Sequence, residues 1–113
     1  MIMKIPTKVP VNGFYYHYKH DPSGLVNNYA YEVMGVGCHT EDDCRPQDAC
    51  MVVYRPLYEA SVYKAGRLFD LRPLEMWMGD VIRDGKTTPR FTNITDLAVI
   101  AQLQKIKKKM YGE

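Results

Sequence analysis

The chain has 113 residues, the size of one domain, with no room for a second independent core. Apolar residues make up 46% and charged residues 25%, ordinary for a globular protein that buries roughly two-thirds of its surface and needs no metal or disulfide to fold. The net charge of +2 is too small to imply nucleic acid, no run reaches the ~18 apolar residues of a membrane span, and the first ten residues lack the apolar segment of a signal peptide, so the expected compartment is the cytoplasm.

Residues 1–12 carry two prolines and no periodicity, and read as an extended arm. Gly13 opens a strand over Phe14–Lys19, in which Phe14, Tyr16 and Tyr18 share one face and Tyr15, His17 and Lys19 the other. Asp21-Pro22-Ser23-Gly24 is a turn. The second strand, Tyr29–Cys38, is interrupted by Gly35 and Gly37, which predicts a bulge or sharp bend. Residues 40–48 are polar and read as a loop. The third strand, Ala49–Arg55, is nearly all apolar and should be central.

Residues 57–66 read either as a short helix or as a long loop closed by Gly66. Arg67–Arg72 alternates and is expected to be a fourth strand; Pro73 then stands at a helix-start position for one turn through Trp77. Asp84-Gly85 between Val81–Arg83 and Pro89–Phe91 is a hairpin signal. In the last segment Thr95 is the expected N-cap and Asp96 suits the positive end of the helix dipole. Val99, Leu103, Ile106 and Met110 form one helical stripe, and Gly112 stops the helix.

The organisation is thus an arm over 1–12, a β domain over 13–94 and a helix over 95–111 packed on or beside it. The expected class is mostly β (α+β): a small, strongly bent antiparallel sheet or an open SH3-like barrel with one C-terminal helix. Nine tyrosines against one tryptophan and three phenylalanines agree with strands and half-exposed surfaces, because a tyrosine buries its ring only where its hydroxyl finds a partner.

Seven segments in order, His17-Tyr18-Lys19, Tyr31-Glu32-Val33, His39-Thr40-Glu41, Val52 to Tyr58, Arg72 to Trp77, Asp84-Gly85-Lys86 and Pro89-Arg90-Phe91, resemble the small bacterial family known as domain of unknown function 1653, over about residues 13–92. The resemblance implies a domain and no activity. Compared with that family pattern, the chain carries extra residues at Pro22–Asn28, at Asp42–Ala49 and between Tyr58 and Leu71.

The polar and aromatic residues of those segments, His17, Lys19, His39, Glu41, Tyr54, Arg55, Tyr58, Arg72 and Arg90, are the candidate ligand-binding set. Tyrosine rings stack on planar ligands, and Arg and Lys hold a phosphate or carboxylate. The competing reading is structural: the same arginines pair with Glu32 or Glu75, since a guanidinium binds a neighbouring carboxylate equally well. Cys38, Cys44 and Cys50 are odd in number, which argues against a secreted disulfide framework. With His39 they are a conceivable zinc set, but their spacing matches no short knuckle, and a cysteine in an apolar strand, such as Cys50, behaves as a small hydrophobe. No metal and no cofactor is expected, and a disulfide between adjacent strands is the alternative to free thiols. The chain contains no P-loop, no GxGxxG and no HExxH.

Three functions follow. The favoured one is a binding or interaction module for a small anionic or planar ligand, nucleic acid or a protein partner, working as monomer or homodimer and away from membranes. The second is a small enzyme or nucleotide-handling accessory domain using His39 and Glu41 in a pocket. The third is a purely structural subunit. Lys105, Lys107, Lys108 and Lys109 are read as a solvated face that suits the negative helix end, with nucleic acid as the weaker alternative.

Overall fold

The computed structural model describes residues 8–41, 43, 45 and 49–113. Seven strands occur among them: β1 (Gly13–His17), β2 (Ala30–Cys38), β3 (Cys50–Pro56), β4 (Asp70–Pro73), β5 (Asp80–Arg83), β6 (Lys86–Pro89) and β7 (Phe91–Asn93). The helices are α1 (Ser61–Lys64), α2 (Leu74–Met78) and the long α3 (Leu97–Tyr111). Five strands make an antiparallel sheet in the order β4-β3-β2-β1-β7, and β5 and β6 form a separate hairpin. β4 and β7 end the sheet and do not pair with each other, so among the described residues no barrel closes. The mostly β, α+β class expected from the sequence is present, as an open antiparallel sheet with one long C-terminal helix.

The alternation of β1 sets up two cores, one on each face. Phe14 joins Ala30, Leu57, Ile94 and Leu103 under α3, with Tyr16, Val99, Ile100 and Ile106 packed around them. Tyr15 joins Val33, Val52, Tyr54, Trp77 and Phe91 on the other face, where α2 lies. The apolar stripe of α3 is therefore spent on the sheet: Leu103 is fully buried. Burial of a leucine side chain stabilises by about 2 kcal/mol.

β2 is bent where the glycines predicted it. Val33 opposes Tyr54 but Gly35 opposes Val53, so Met34 is the extra residue of a bulge. In the hairpin, Asp84 (φ 51°) and Gly85 (φ 75°) both take the left-handed conformation of a type I′ turn. The expected strand through Pro89–Phe91 is broken at Arg90: β6 ends at Pro89, and Phe91 begins β7, which pairs with β1. The fourth strand begins later than expected, at Asp70. Residues 57–66 hold the short α1 and an exposed turn.

The cap of α3 is Asp96 rather than Thr95: its carboxylate accepts from the N–H groups of Ala98 (2.9 Å) and Val99 (3.2 Å). Two capping residues stand side by side, and the one whose side chain reaches the first free N–H groups takes the position. Gly112, at φ 78°, ends the helix with its N–H on Lys108 O. No helix among the described residues is long and apolar enough to cross a membrane.

Candidate functional site

On the α2 face, the side chains beyond the core are rings and cations. His17 stands opposite Phe91 across β1 and β7, and its imidazole meets the Phe91 ring edge-on at 5.1 Å. Phe91 in turn lies flat on Trp77, with centroids 3.6 Å apart and planes 6° from parallel. A cleft of about 130 Å³ between Pro10, Tyr15, Trp77, Met78 and Phe91 borders this stack.

Tyr29 stacks on His17 at 5.7 Å and leans towards Tyr58 at 6.1 Å. Its backbone is left-handed, φ 51°, a conformation that costs a residue with a Cβ about 1–2 kcal/mol. The ring remains 40% exposed. The Tyr58 and Tyr31 hydroxyls share a hydrogen bond, and Tyr31 packs edge-on against Tyr54 and Phe91.

Three cations approach these rings. Arg72 donates from Nε to the Tyr54 hydroxyl (3.3 Å), and its guanidinium carbon lies 5.3 Å from the centre of the Phe91 ring. Arg90 Nε is buried with no hydrogen-bond partner. Lys19 is exposed, and its backbone N–H donates to His17 Nδ1 (3.2 Å). That bond needs Nδ1 as an acceptor, so the ring is neutral with its proton on Nε2. The electrostatics agree: burial, then Arg72, Lys19 and Arg90, push the His17 pKa down to about 4. Among the described residues none of these three cations makes an ion pair.

A carboxylate adjoins the same rings. Asp70 faces Tyr54 across β4 and β3. Burial raises its pKa against the opposing pull of Arg72. Burial also raises Tyr31 and Tyr58, with Asp70 adding to both. The face thus carries cations, a carboxyl and hydroxyls around the same rings, and Arg72 acts on both His17 and Asp70.

The structure brings together His17, Lys19, Tyr54, Tyr58, Arg72 and Arg90 of the expected set. Arg55 is not among them. It lies on the opposite face, buried against Glu32, Glu113 and the Tyr111 ring. His39 and Glu41 are exposed beyond the other end of β2 from Tyr29, about 30 Å along the strand at ~3.3 Å per residue. Their hydrogen bond runs from the Glu41 backbone N–H to His39 Nδ1 (3.0 Å) and does not involve the carboxylate. Cys44 lies outside the described residues. No cluster of three or more metal-ligating side chains occurs among the described residues.

Sequence reasoning missed Tyr29, Tyr31, Asp70 and Phe91. Strand alternation offered a signal for Tyr31, which stands two residues before Val33 on the same face. Nothing local marked Tyr29, whose role depends on a backbone conformation.

The fold and site define a small α+β domain: an open antiparallel sheet with a helix on one face and an aromatic, cationic surface on the other. The chain belongs to the family described as Protein of unknown function (DUF1653), which matches residues 13–93. No curated protein and no solved structure matches it.

Proposed function

We propose that the α2 face is a binding surface for a small planar ligand that carries an anionic group. The observation behind this reading is the set of Lys19, Arg72 and Arg90 around a neutral His17, with no carboxylate among the described residues paired to any of them. Cations left without ion pairs beside stacked rings suit a phosphate or carboxylate attached to a flat body. His17 Nε2–H supplies a further donor to an anion. Asp70 and the tyrosine hydroxyls suit a hydrogen-bond-donating edge of the ligand.

The probe that matches both requirements is adenosine monophosphate, which joins a phosphate to a planar base bearing an amino group. In a thermal-shift titration it raises the melting temperature in a dose-dependent way, because a ligand of the folded state stabilises it by mass action. Inorganic phosphate alone gives a smaller shift, and Arg72→Gln combined with Arg90→Gln removes both. If neither adenosine monophosphate, other nucleotides nor short single-stranded RNA moves the melting temperature, the small-ligand reading fails and a protein covering this face takes its place.

A further inference from the structure

Away from the ring cluster, two cysteines meet at the far ends of β2 and β3. Cys38 and Cys50 are direct partners in the ladder, and their sulfurs are 4.0 Å apart. The next pair outward is joined by a backbone bond from His39 N–H to Ala49 O (2.7 Å). Hydrogen-bonded and non-hydrogen-bonded pairs alternate along an antiparallel ladder. Cys38 and Cys50 therefore occupy a non-hydrogen-bonded pair, the kind in which facing side chains come closest, with Cα atoms roughly 4.5 Å apart. A disulfide needs Cα atoms roughly 4.4–6.8 Å apart. Pairs of this kind fall within that range, and the two sulfurs already lie 4.0 Å apart.

We propose that Cys38 and Cys50 are a redox-convertible cross-strand pair whose oxidant is a low-molecular-weight disulfide such as oxidised glutathione. Cys38 is the more exposed of the two and attacks first. Its thiolate displaces one glutathione thiolate and forms a mixed disulfide. The Cys50 thiolate then attacks Cys38 Sγ, forms the Cys38–Cys50 bond and releases the second glutathione thiolate. The two protein thiols lose two electrons and two protons, and the oxidant takes them up as two glutathione thiols. The bond clips the two strands together where the segment from His39 to Ala49 leaves them. The pair is independent of the ring cluster, so either proposal stands if the other fails.

The test incubates the folded wild-type protein with oxidised glutathione at mildly alkaline pH, counts thiols and maps the bonds by peptide mass spectrometry. The expected result is a fall from three titratable thiols to one, with the Cys38 peptide joined to the Cys50 peptide. The Cys44→Ser variant forms the same bond and retains no thiol. The oxidised protein melts at a higher temperature than the reduced one, and the shift disappears on reduction. Persistence of all three thiols, a protein that stops at the mixed disulfide, or a bond from Cys44 to either strand cysteine overturns the proposal. The wild-type map decides alone, so the folding of a variant does not limit the test.

Discussion

Glu32 and Arg55 face each other directly across β2 and β3, and Arg55 Nε and Nη2 both lie 2.9 Å from Glu32 Oε1. Around this pair the C-terminal helix is anchored. Lys107 Nζ reaches Glu32 Oε2 (2.7 Å), Glu113 reaches Arg55 Nη2 (2.6 Å), and the Arg55 guanidinium sits 3.9 Å above the Tyr111 ring. Tyr111 donates its hydroxyl to Pro56 O (2.6 Å). Burial pushes its pKa up to about 12 against the opposing pull of Arg55.

Breaking this network by Arg55→Met leaves the buried Glu32 with Lys107 alone and is expected to cost about 3 kcal/mol in urea unfolding. Replacing both partners, Glu32→Leu with Arg55→Met, recovers most of the loss, because the charges that then lose a partner, Lys107 and Glu113, are at the surface edge of the network and can turn to water. Arg72→Gln, on the other face, is expected to cost no more than about 1 kcal/mol. Equal losses from Arg55→Met and Arg72→Gln would show that both arginines are structural.

The docking of α3 is equally open to measurement. Leu103 is fully buried, and Leu103→Ala should cost about 2–5 kcal/mol. A chain ending at Asn93 uncovers Phe14, Ala30 and Leu57 at once, and circular dichroism should show it unfolded or lacking fixed packing. A cooperative melt of that shorter chain would make α3 an accessory rather than half of the core.

How much of this was legible depended on the range of each signal. The Asp84-Gly85 turn, the stripe of α3 and its Gly112 stop are local patterns that appear where the residues predicted them, except that Ile100 and Tyr111 join Val99, Leu103 and Ile106 in the core and Met110 does not. The strand alternation was legible too, and it held more than was drawn from it. Tyr54 and Arg55 are neighbours in one strand, so their side chains must point to opposite faces; only one of them can belong to a given patch. The choice between a bent sheet and an open barrel was not legible, because it depends on how the end strands β4 and β7 are placed. The left-handed Tyr29 was hidden for a similar reason: its ring is placed by contacts with His17 and Tyr58, which are distant in sequence.

His17 should report on the binding face through pH. Its pKa is held near 4 in the folded chain against 6.5 when unperturbed. The unfolded chain therefore takes up the proton first. The His17 contribution is complete above about pH 6.5, falls as the pH drops towards 4, and levels off below. Partial exposure screens the charges, so the loss is about 1–2 kcal/mol. Asp70 acts in the opposite sense at the acid end, because a raised carboxyl pKa favours the folded state as the pH falls. The direct readout is an NMR titration of the His17 ring protons. A midpoint near 4 that moves upward with adenosine monophosphate present is expected; a midpoint at the ordinary histidine value would remove the cationic environment from the description of the site.

Gly85 offers a smaller and cleaner test. Its φ is +75°, and a Cβ there would meet nothing within 4 Å. The cost of Gly85→Ala is thus conformational alone, about 1 kcal/mol. A neutral Gly85→Ala would mean that the turn takes a different form.

The extra residue in β2 has a consequence for the phase of the strand. Val33 and Val36 are three apart in sequence, yet both pack with the same face because Met34 is absorbed by the bulge. A chain lacking Met34 would keep every backbone partner of β2, Val33 with Tyr54, Gly35 with Val53 and Cys38 with Cys50. It would lose only the bend and the added twist. Met34 therefore acts on direction rather than on pairing: it turns the thiol-bearing end of the strand away from the line of its ring-bearing end. The relative orientation of the two ends is set by a single insertion whose removal leaves the ladder intact.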